Sequence, residues 1–153
     1  MTVRIKVCTT IDASTAEVWD VVEEIQHHTD WMVDAARITF VSNRTSGVGT
    51  EFDCLTRVGP FRLTDRMKVT EWEPGRAMGI EHHGMVTGRG RFTLESKRQG
   101  STRFCWNERL RFPWWMGGVV GEQVARPVLK RLWKRNLASL QRIVEGRPRR
   151  DGR

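Results

Sequence analysis

The sequence has few of the residues that mark disulfide-rich, membrane-spanning or metal-binding proteins. Its three cysteines, Cys8, Cys54 and Cys105, are far apart and form no C-x-x-C pair. That usage predicts neither a disulfide framework nor a structural zinc site, and it fits a reducing compartment. No apolar run approaches the length of a membrane span. The first residues, MTVRIKVCTT, alternate charged and apolar side chains and so do not form a secretory signal. We therefore predict a cytoplasmic protein without a bound metal.

Acidic residues are scarce at the C-terminal end of the chain. Residues 1–125 contain 16 Lys and Arg and 16 Asp and Glu, whereas residues 126–153 contain 10 Lys and Arg against Glu145 and Asp151. The net charge of +8 therefore belongs to this last segment. A basic segment can make weak contact with an anionic surface, or it can simply be the solvent-facing side of a helix. The tail lacks interleaved aromatic residues for stacking on bases, which argues against a nucleic-acid partner.

Motifs of common cofactor and hydrolase sites are also absent. The pairs His27–His28 and His82–His83 are adjacent, and neighbours on a strand point to opposite faces of the sheet. Gly47-x-Gly49 precedes a predicted strand, so it cannot present a helix N-terminus to a dinucleotide phosphate. There is no G-x-S-x-G sequence. We predict no cofactor.

The sequence does contain a long region of two-residue alternation. Val3, Ile5 and Val7 begin the first predicted strand, and Ser14-x-x-Glu17 is a capping box that starts a short helix. After a second short helical segment, alternation returns and is interrupted by Gly, Pro and polar turns. Along these segments apolar residues occupy every second position and mainly Arg occupies the positions between them. This pattern is typical of an antiparallel sheet with one buried face. The predicted strands cover residues 38–42, 52–58, 61–69, 78–82, 88–94 and 104–112.

One amphipathic helix follows the sheet. Pro127 suits a first helical turn, apolar residues recur at three- and four-residue spacing, and Gly146 is a plausible stop. A helix over 127–145 would be about 28 Å long, enough to cross a seven-stranded sheet. We predict one domain over residues 1–146 and a disordered basic tail over residues 147–153. Because the helix is the only long element available to cover the apolar face, the space beneath it is the predicted functional site.

Motifs in a fixed order resemble the START-like (SRPBCC) superfamily, within it the polyketide cyclase/dehydrase and lipid-transport group. The resemblance implies an α+β helix-grip fold: a seven-stranded curved antiparallel sheet, two short helices after the first strand, and a long C-terminal helix across the concave face. It also implies a cavity for a small hydrophobic ligand, without implying one chemistry. The residues that carry the resemblance are Ile11-Asp12-Ala13-Ser14 with Glu17-Val18-Trp19, Trp31, Gly47 to Phe52, Val69 to Pro74, and Leu137-x-x-Leu140-x-x-x-Val144-Glu145.

Hairpin geometry predicts a polar patch on the apolar wall. A two-residue turn at Gly59-Pro60 sets Cys54 opposite Asp65, and a turn at Pro74-Gly75 places His82 diagonal to Asp65. A buried carboxylate needs a donor, which His82 would supply to Asp65. Such a pair would orient a ligand or transfer protons. The alternatives are a bulge that turns Asp65 outward and a purely structural pair.

Glu108 is a second acidic residue at a strand position that alternation turns toward the core. The register sets it opposite Gly90, whose missing side chain would leave room for a ligand group or water. In the alternative, Glu108 lies near the cavity mouth and reaches solvent. Asp65 and Glu108 lie toward opposite sides of the sheet, so we do not predict a paired-carboxylate hydrolase.

The remaining inward residues predict the cavity lining, although the same side chains could meet and fill the core. The apolar segment 114–118 is either a gate or a loop packed over the core. The predicted lining residues are Trp31, Phe52, Cys54, Leu63, Asp65, Met67, Met78, Ile80, His82, Phe92, Phe104, Trp106, Glu108, Leu129 and Leu132.

These observations favour a protein that binds or carries a small hydrophobic ligand, such as a lipid, a polyketide or an aromatic metabolite. Affinity would come mainly from apolar burial. One alternative is a polyketide cyclase or dehydratase in which His82 and Asp65 move protons. Another is a regulatory protein acting through the basic C-terminal helix. The sequence specifies neither the ligand nor the oligomeric state.

Overall fold

The computed structural model describes residues 2–149, and it confirms the predicted helix-grip architecture. A single antiparallel sheet has the strand order β1-β7-β6-β5-β4-β3-β2, so the first and last strands are neighbours. Consecutive strands from β2 to β7 form hairpins, whereas β2 lies at the far edge from β1. The strands are β1 (Thr2–Ile11), β2 (Ala35–Phe40), β3 (Glu51–Val58), β4 (Phe61–Glu73), β5 (Ala77–His83), β6 (Thr87–Ser96) and β7 (Thr102–Arg111).

The helices stand between β1 and β2 and after β7. Helix α1 spans Thr15–Val22 and is followed by a 3-10 helix over Ile25–Asp30. Helix α2 spans Gly118–Glu145. Two further 3-10 turns cover Arg98–Gly100 and Trp114–Met116. Among the described residues, no helix is both long and apolar enough to cross a lipid bilayer.

The capping box at the start of α1 forms as predicted. The Ser14 hydroxyl accepts from the Glu17 amide at 3.2 Å, and the Glu17 carboxylate accepts from the Ser14 amide at 3.0 Å. These two bonds satisfy amides that the first helical turn leaves unpaired. The inward face of α1 then buries Val18 and Val22 completely, so the capped start also fixes the helix on the core.

Two deviations from regular pairing cancel in the β4–β5 hairpin. The turn contains three residues, because Glu73 pairs with Ala77. A register shift between Val69 and Glu71 moves the pairing back by one residue. As a result Met67 still lies opposite His82, as predicted from a two-residue turn.

Helix α2 begins nine residues before the predicted start at Pro127. Pro127 lies inside the helix, where its missing N–H removes one backbone hydrogen bond. The residues before it were not predicted to be helical because their apolar side chains, such as Val120 and Val124, face solvent instead of the core. All the buried residues of α2 follow Pro127, namely Trp133, Asn136, Leu137, Leu140 and Val144.

The expectation that the cysteines form no disulfide was wrong for one pair. Cys8 of β1 lies directly opposite Cys105 of β7, and the two are joined by a disulfide. Their separation of 97 residues hides the pair in the sequence, because only the strand order brings β1 beside β7. Cys54 is a buried free thiol.

Aromatic side chains fill the middle of the space between sheet and helix. Trp106 stacks on Trp133 of α2 with ring centroids 4.8 Å apart, and it contacts Phe92 at 5.3 Å. Trp31 packs against both Phe92 and Trp106, with centroid distances of 5.8 and 6.2 Å. This cluster joins β6, β7, α2 and the segment after the 3-10 helix into one core.

The chain after α2 turns back toward the first strand. Arg149 Nη2 forms an ion pair with Asp12 Oδ2 at 2.6 Å, and both side chains are exposed. Residues 150–153 of the predicted basic tail lie outside the described residues. The domain boundary at residue 146 stays a prediction.

Candidate functional site

Three ionisable side chains face inward from neighbouring parts of the sheet. Asp65 lies on β4, His82 on β5 and Glu108 on β7, and all three are largely shielded from solvent. The registers predicted for them are observed: Cys54 pairs with Asp65, and Gly90 pairs with Glu108. Strand alternation therefore places all three on the wall that faces α2.

The partner of His82 is Glu108, so the predicted Asp65–His82 pair was wrong. His82 Nε2 lies 3.2 Å from Glu108 Oε2. The second carboxylate oxygen, Oε1, accepts from Trp106 Nε1 at 2.9 Å. Glu108 therefore holds both a histidine and an indole and does not reach out to solvent.

Asp65 finds its donor in the backbone of the β5–β6 connection. Met85 N–H donates to Asp65 Oδ1 at 2.9 Å. A Cβ built on Gly84 would overlap the Asp65 carboxylate, so the glycine lets the connection approach it closely. Asp65 is buried, and no register shift interrupts β3–β4, which excludes the outward bulge considered above.

Gly90 makes room for the Glu108 carboxylate, as Gly84 does for Asp65. A Cβ at this position would overlap the Glu108 carboxylate. The space opposite Gly90, predicted to hold a ligand group or water, is therefore taken by the side chain of Glu108 itself.

The charges around His82 favour its protonated form. Burial alone would lower the pKa of His82, but the hydrogen bond to Glu108 and the charges of Glu108 and Asp65 outweigh it, so the pKa lies above the ordinary 6.5. Burial also raises the pKa of the Cys54 thiol to about 11, with Asp34 and Asp65 adding to the effect. The wall thus holds a hydrogen-bonded His82–Glu108 pair whose histidine is shifted toward its protonated form, and a Cys54 thiol opposite Asp65.

A second polar group, missed from the sequence, lies between α2 and the segment before β2. Asn136 Nδ2 donates to Asp34 Oδ1 at 2.6 Å, and Asn136 Oδ1 accepts from Val33 N–H at 2.9 Å. Burial raises the pKa of Asp34 despite the bond from Asn136. One signal was available: Asn136 interrupts the apolar stripe of the helix between Trp133 and Leu140.

The predicted lining residues separate into a packed set and a half-buried set. Trp31 is 1 % exposed, yet its Nε1 has no hydrogen-bond partner among the described residues. The packed set comprises Trp31, Phe52, Cys54, Met78, Phe92, Phe104 and Trp106. The half-buried apolar set comprises Leu63, Met67, Ile80, Leu129 and Leu132.

A cleft of about 460 Å³ lies between α2 and strands β1 and β7. Ile5 and Glu108 contribute to its wall, whereas His82 does not. Arg126 of α2 lies on its rim and donates to the Arg4 carbonyl at 3.2 Å. The other lining residues are Arg4, Lys6, Asn107, Arg109 and Lys130.

Comparison with known families decides the identity of this fold. The family described as polyketide cyclase / dehydrase and lipid transport matches residues 2–145. The chain belongs to this family. The resemblance noted in the sequence motifs is therefore confirmed, and the site described above lies wholly inside the family's domain.

Solved structures share the fold of this family member at low sequence identity. The protein TTHA0849 from Thermus thermophilus superimposes with a TM-score of 0.80 at 12 % identity, covering 95 % of this chain and 98 % of the other. The Zhui aromatase/cyclase from Streptomyces sp. R1128 superimposes with a TM-score of 0.75 at 17 % identity, covering 99 % of both chains. A START superfamily protein from Mycobacterium smegmatis gives 0.77 at 9 %, covering 94 % and 97 %. No curated protein sequence matches the chain.

Proposed function

We propose that the protein binds and carries a small, largely hydrophobic molecule between the sheet and helix α2. The observation that carries the proposal is the composition of the inner wall around His82 and Glu108. Half-buried Leu63, Met67 and Ile80 stand on β4 and β5, and half-buried Leu129 and Leu132 stand on α2; all five pack against the apolar core. Apolar walls with a few fixed polar groups are the usual form of small-ligand sites.

The polar groups on this wall are suited to orienting one end of a ligand. The protonated His82 is a donor, whereas the Glu108 carboxylate is an acceptor whose position is fixed by Trp106. The indole N–H of Trp31 is a buried donor without a partner among the described residues, so a ligand carbonyl or hydroxyl is a suitable acceptor for it. A ligand with an apolar body and an oxygen-bearing end fits these groups.

The proposed entrance lies at the end of the sheet where β7 leads into α2. The β3–β4 and β5–β6 turns are at the same end, because Val58 pairs with Phe61 and His82 with Gly88. Segment 114–118 joins β7 to α2 there and contains Gly117 and Gly118, whose φ angles are 107° and 57°. Its proposed role as a gate rests on this position and on the freedom that glycine gives the backbone.

A second candidate function is catalysis on a bound polyketide-like chain. It is supported by the likeness of the fold to an aromatase/cyclase and by the hydrogen-bonded His82–Glu108 pair. A protonated histidine beside a carboxylate can donate a proton to a ligand oxygen and then take up a new proton from water, while the carboxylate stabilises the charged ring. In this candidate the wall would also hold the chain in a reactive fold.

The cellular location and the partners of the protein are also proposals. Cytoplasmic location was predicted from the cysteine usage, and the Cys8–Cys105 bond weighs against it because cytoplasmic proteins rarely keep disulfides. A role without nucleic acid also stays a prediction. The small hydrophobic ligand is the partner that the family description supports.

Native mass spectrometry of freshly purified protein tests the carrier proposal. We expect a co-purified apolar molecule in the wild type and its loss in Leu132→Trp, where the larger ring takes space next to the apolar core. Ala138→Trp is the matched control, since Ala138 is on the exposed face of the same helix. Equal occupancy of the two variants, or no bound molecule together with no binding of added fatty acids and aromatic polyketides, contradicts the proposal.

Variants of the polar pair separate carriage from catalysis. His82→Asn should change ligand preference moderately in a carrier, with binding retained, and should abolish turnover of a polyketide substrate in an enzyme. Asp65→Asn is the companion variant, because Asp65 affects His82 through charge alone. Retained turnover in His82→Asn would exclude the catalytic candidate.

A further inference from the structure

Several large apolar side chains are exposed around the start of helix α2. Trp114 is 85 % exposed and Trp115 is 58 % exposed. We refer to this set as the Trp–Val surface. Large apolar side chains exposed together on one part of a protein surface often mark a contact site. Its members are Trp114, Trp115, Val119, Val120, Val124 and Val128.

Three of the valines form a row on the side of α2 that faces away from the sheet. Val120, Val124 and Val128 are four residues apart and therefore lie one above another along the helix. The buried side chains of α2 occupy the opposite side, from Trp133 onward. The same outward row continues after Val128 as Arg131 and Arg135, so the outer face changes from apolar to basic along its length.

Positive charge surrounds the Trp–Val surface. Between residues 118 and 135 there are five Lys and Arg and a single acid, Glu122. The ion pairs of the described residues join cations of other elements and include none of these five. The cations are Arg126, Lys130, Arg131, Lys134 and Arg135.

We propose that the Trp–Val surface docks on an anionic lipid membrane, with the valines and tryptophans at the level of the head groups and the arginines against lipid phosphates. Trp favours the interface between water and acyl chains, where its ring is apolar and its N–H finds an acceptor. A helix with an apolar face and flanking cations binds anionic bilayers in their plane. Each of these cations adds attraction to a negatively charged leaflet.

The distribution of charge favours a membrane over a second copy of this chain. Two copies that meet through their valine rows would bring Arg131 and Arg135 of each copy toward one contact, four like charges on the same outward face. A negatively charged lipid surface removes that repulsion instead of adding to it. The docking inference does not depend on the cavity or its ligand, so either can fail without the other.

Vesicle co-sedimentation of the full chain tests the inference. We expect the wild type to bind phosphatidylcholine vesicles containing phosphatidylglycerol at least about tenfold more tightly than pure phosphatidylcholine vesicles, and to lose that preference at high salt. Val120→Ser/Val124→Ser/Val128→Ser should lower binding about tenfold. The matched control is Val41→Ser/Val48→Ser, since both valines are exposed at the opposite end of the sheet.

A second pair of variants isolates the charge. Arg131→Gln/Arg135→Gln should reduce the preference for phosphatidylglycerol about tenfold, while Arg98→Gln/Arg103→Gln, at the β6–β7 turn, should not. Circular dichroism establishes that each variant is folded. Absence of vesicle binding by the folded wild type at low salt overturns the inference. So does a concentration-dependent dimer, measured by sedimentation equilibrium, that the valine substitutions abolish.

Discussion

Gly90 leaves the space that the Glu108 carboxylate occupies on the inner wall of the sheet. The glycine is on β6 and the acid directly opposite on β7, and their pairing lets Glu108 Oε2 lie 3.2 Å from His82 Nε2. The position of the proton-bearing pair therefore depends on the absence of one methyl group on the neighbouring strand.

Gly90→Ala should displace the Glu108 carboxylate and weaken its bond to His82. Overpacking of this kind costs about 1–3 kcal/mol in the free energy of unfolding, measured by urea denaturation. In addition, the pKa of His82, followed by NMR titration of the imidazole, should fall toward its ordinary value. Glu108→Gln keeps the shape and removes the charge, so it should lower that pKa without the overpacking cost. An unchanged His82 titration in both variants would contradict the assignment.

The raised pKa of His82 makes stability depend on pH in a defined direction. The protonated form is favoured in the folded state, so its contribution is complete below the unfolded value near 6.5 and is lost as pH rises through the folded pKa. The free energy of unfolding of the wild type, relative to His82→Asn, should therefore decrease above about pH 6.5. A difference that grows with pH would show that His82 is held neutral.

His28 should change the pH dependence of stability in the opposite direction. It is buried against Trp31 and Phe92, and this burial lowers its pKa to about 4, although the bond that Nε2 donates to the Val22 carbonyl at 2.7 Å acts in the other direction. The wild type should lose up to about 3 kcal/mol of stability as pH falls from about 6.5 to about 4, because the unfolded chain takes up the proton first. The measurement is urea denaturation over that pH range.

His28→Gln is the informative variant for this prediction. Its amide can keep the bond to Val22 but cannot titrate, so the loss on acidification should shrink. His27→Gln is the control, because His27 is exposed beside it. The same acid-induced loss in His28→Gln as in the wild type would assign the effect to other groups.

The Cys8–Cys105 bond should stabilise the fold by about 2–4 kcal/mol, because it closes a long loop of the chain in the unfolded state. Dithiothreitol should lower the urea midpoint of the wild type and leave Cys8→Ala/Cys105→Ala unchanged. Thiol titration of the unfolded, unreduced protein should find Cys54 alone. Three reactive thiols under those conditions would mean that the two cysteines are reduced in the isolated protein.

Asn136→Ala should cost about 1–3 kcal/mol, because it leaves the Val33 amide without its acceptor and removes one of the donors to the half-buried Asp34 carboxyl. Ser139→Ala, on the same helix and less buried, is the matched control. Urea denaturation measures both. Equal stability of the two variants would show that water replaces the lost bonds.

The inner wall could be predicted from the sequence because alternation and turns fix strand register. The Gly59-Pro60 turn alone sets Cys54 opposite Asp65. The pairing of Met67 with His82 was also right, but because a longer turn and a bulge at Thr70 offset one another. Register shows which residues share a face; it does not show which side chains bond.

The remaining features depend on contacts that local sequence does not encode. Asp65 takes the Met85 amide instead of His82, because Gly84 allows the backbone to approach. Cys8 meets Cys105 only because the first strand joins the last in the strand order. The helix start was placed too late because burial, on which the prediction relied, begins only after Pro127.

Pro127 separates α2 into a part that belongs to the core and a part that does not. Since no buried side chain of the helix precedes it, the composition of residues 118–126 is not set by the packing of the core. Selection can therefore act on residues 118–126 for what they touch outside the molecule, while residues 133–144 are constrained by the packing within it. One helix thus evolves under two independent sets of demands.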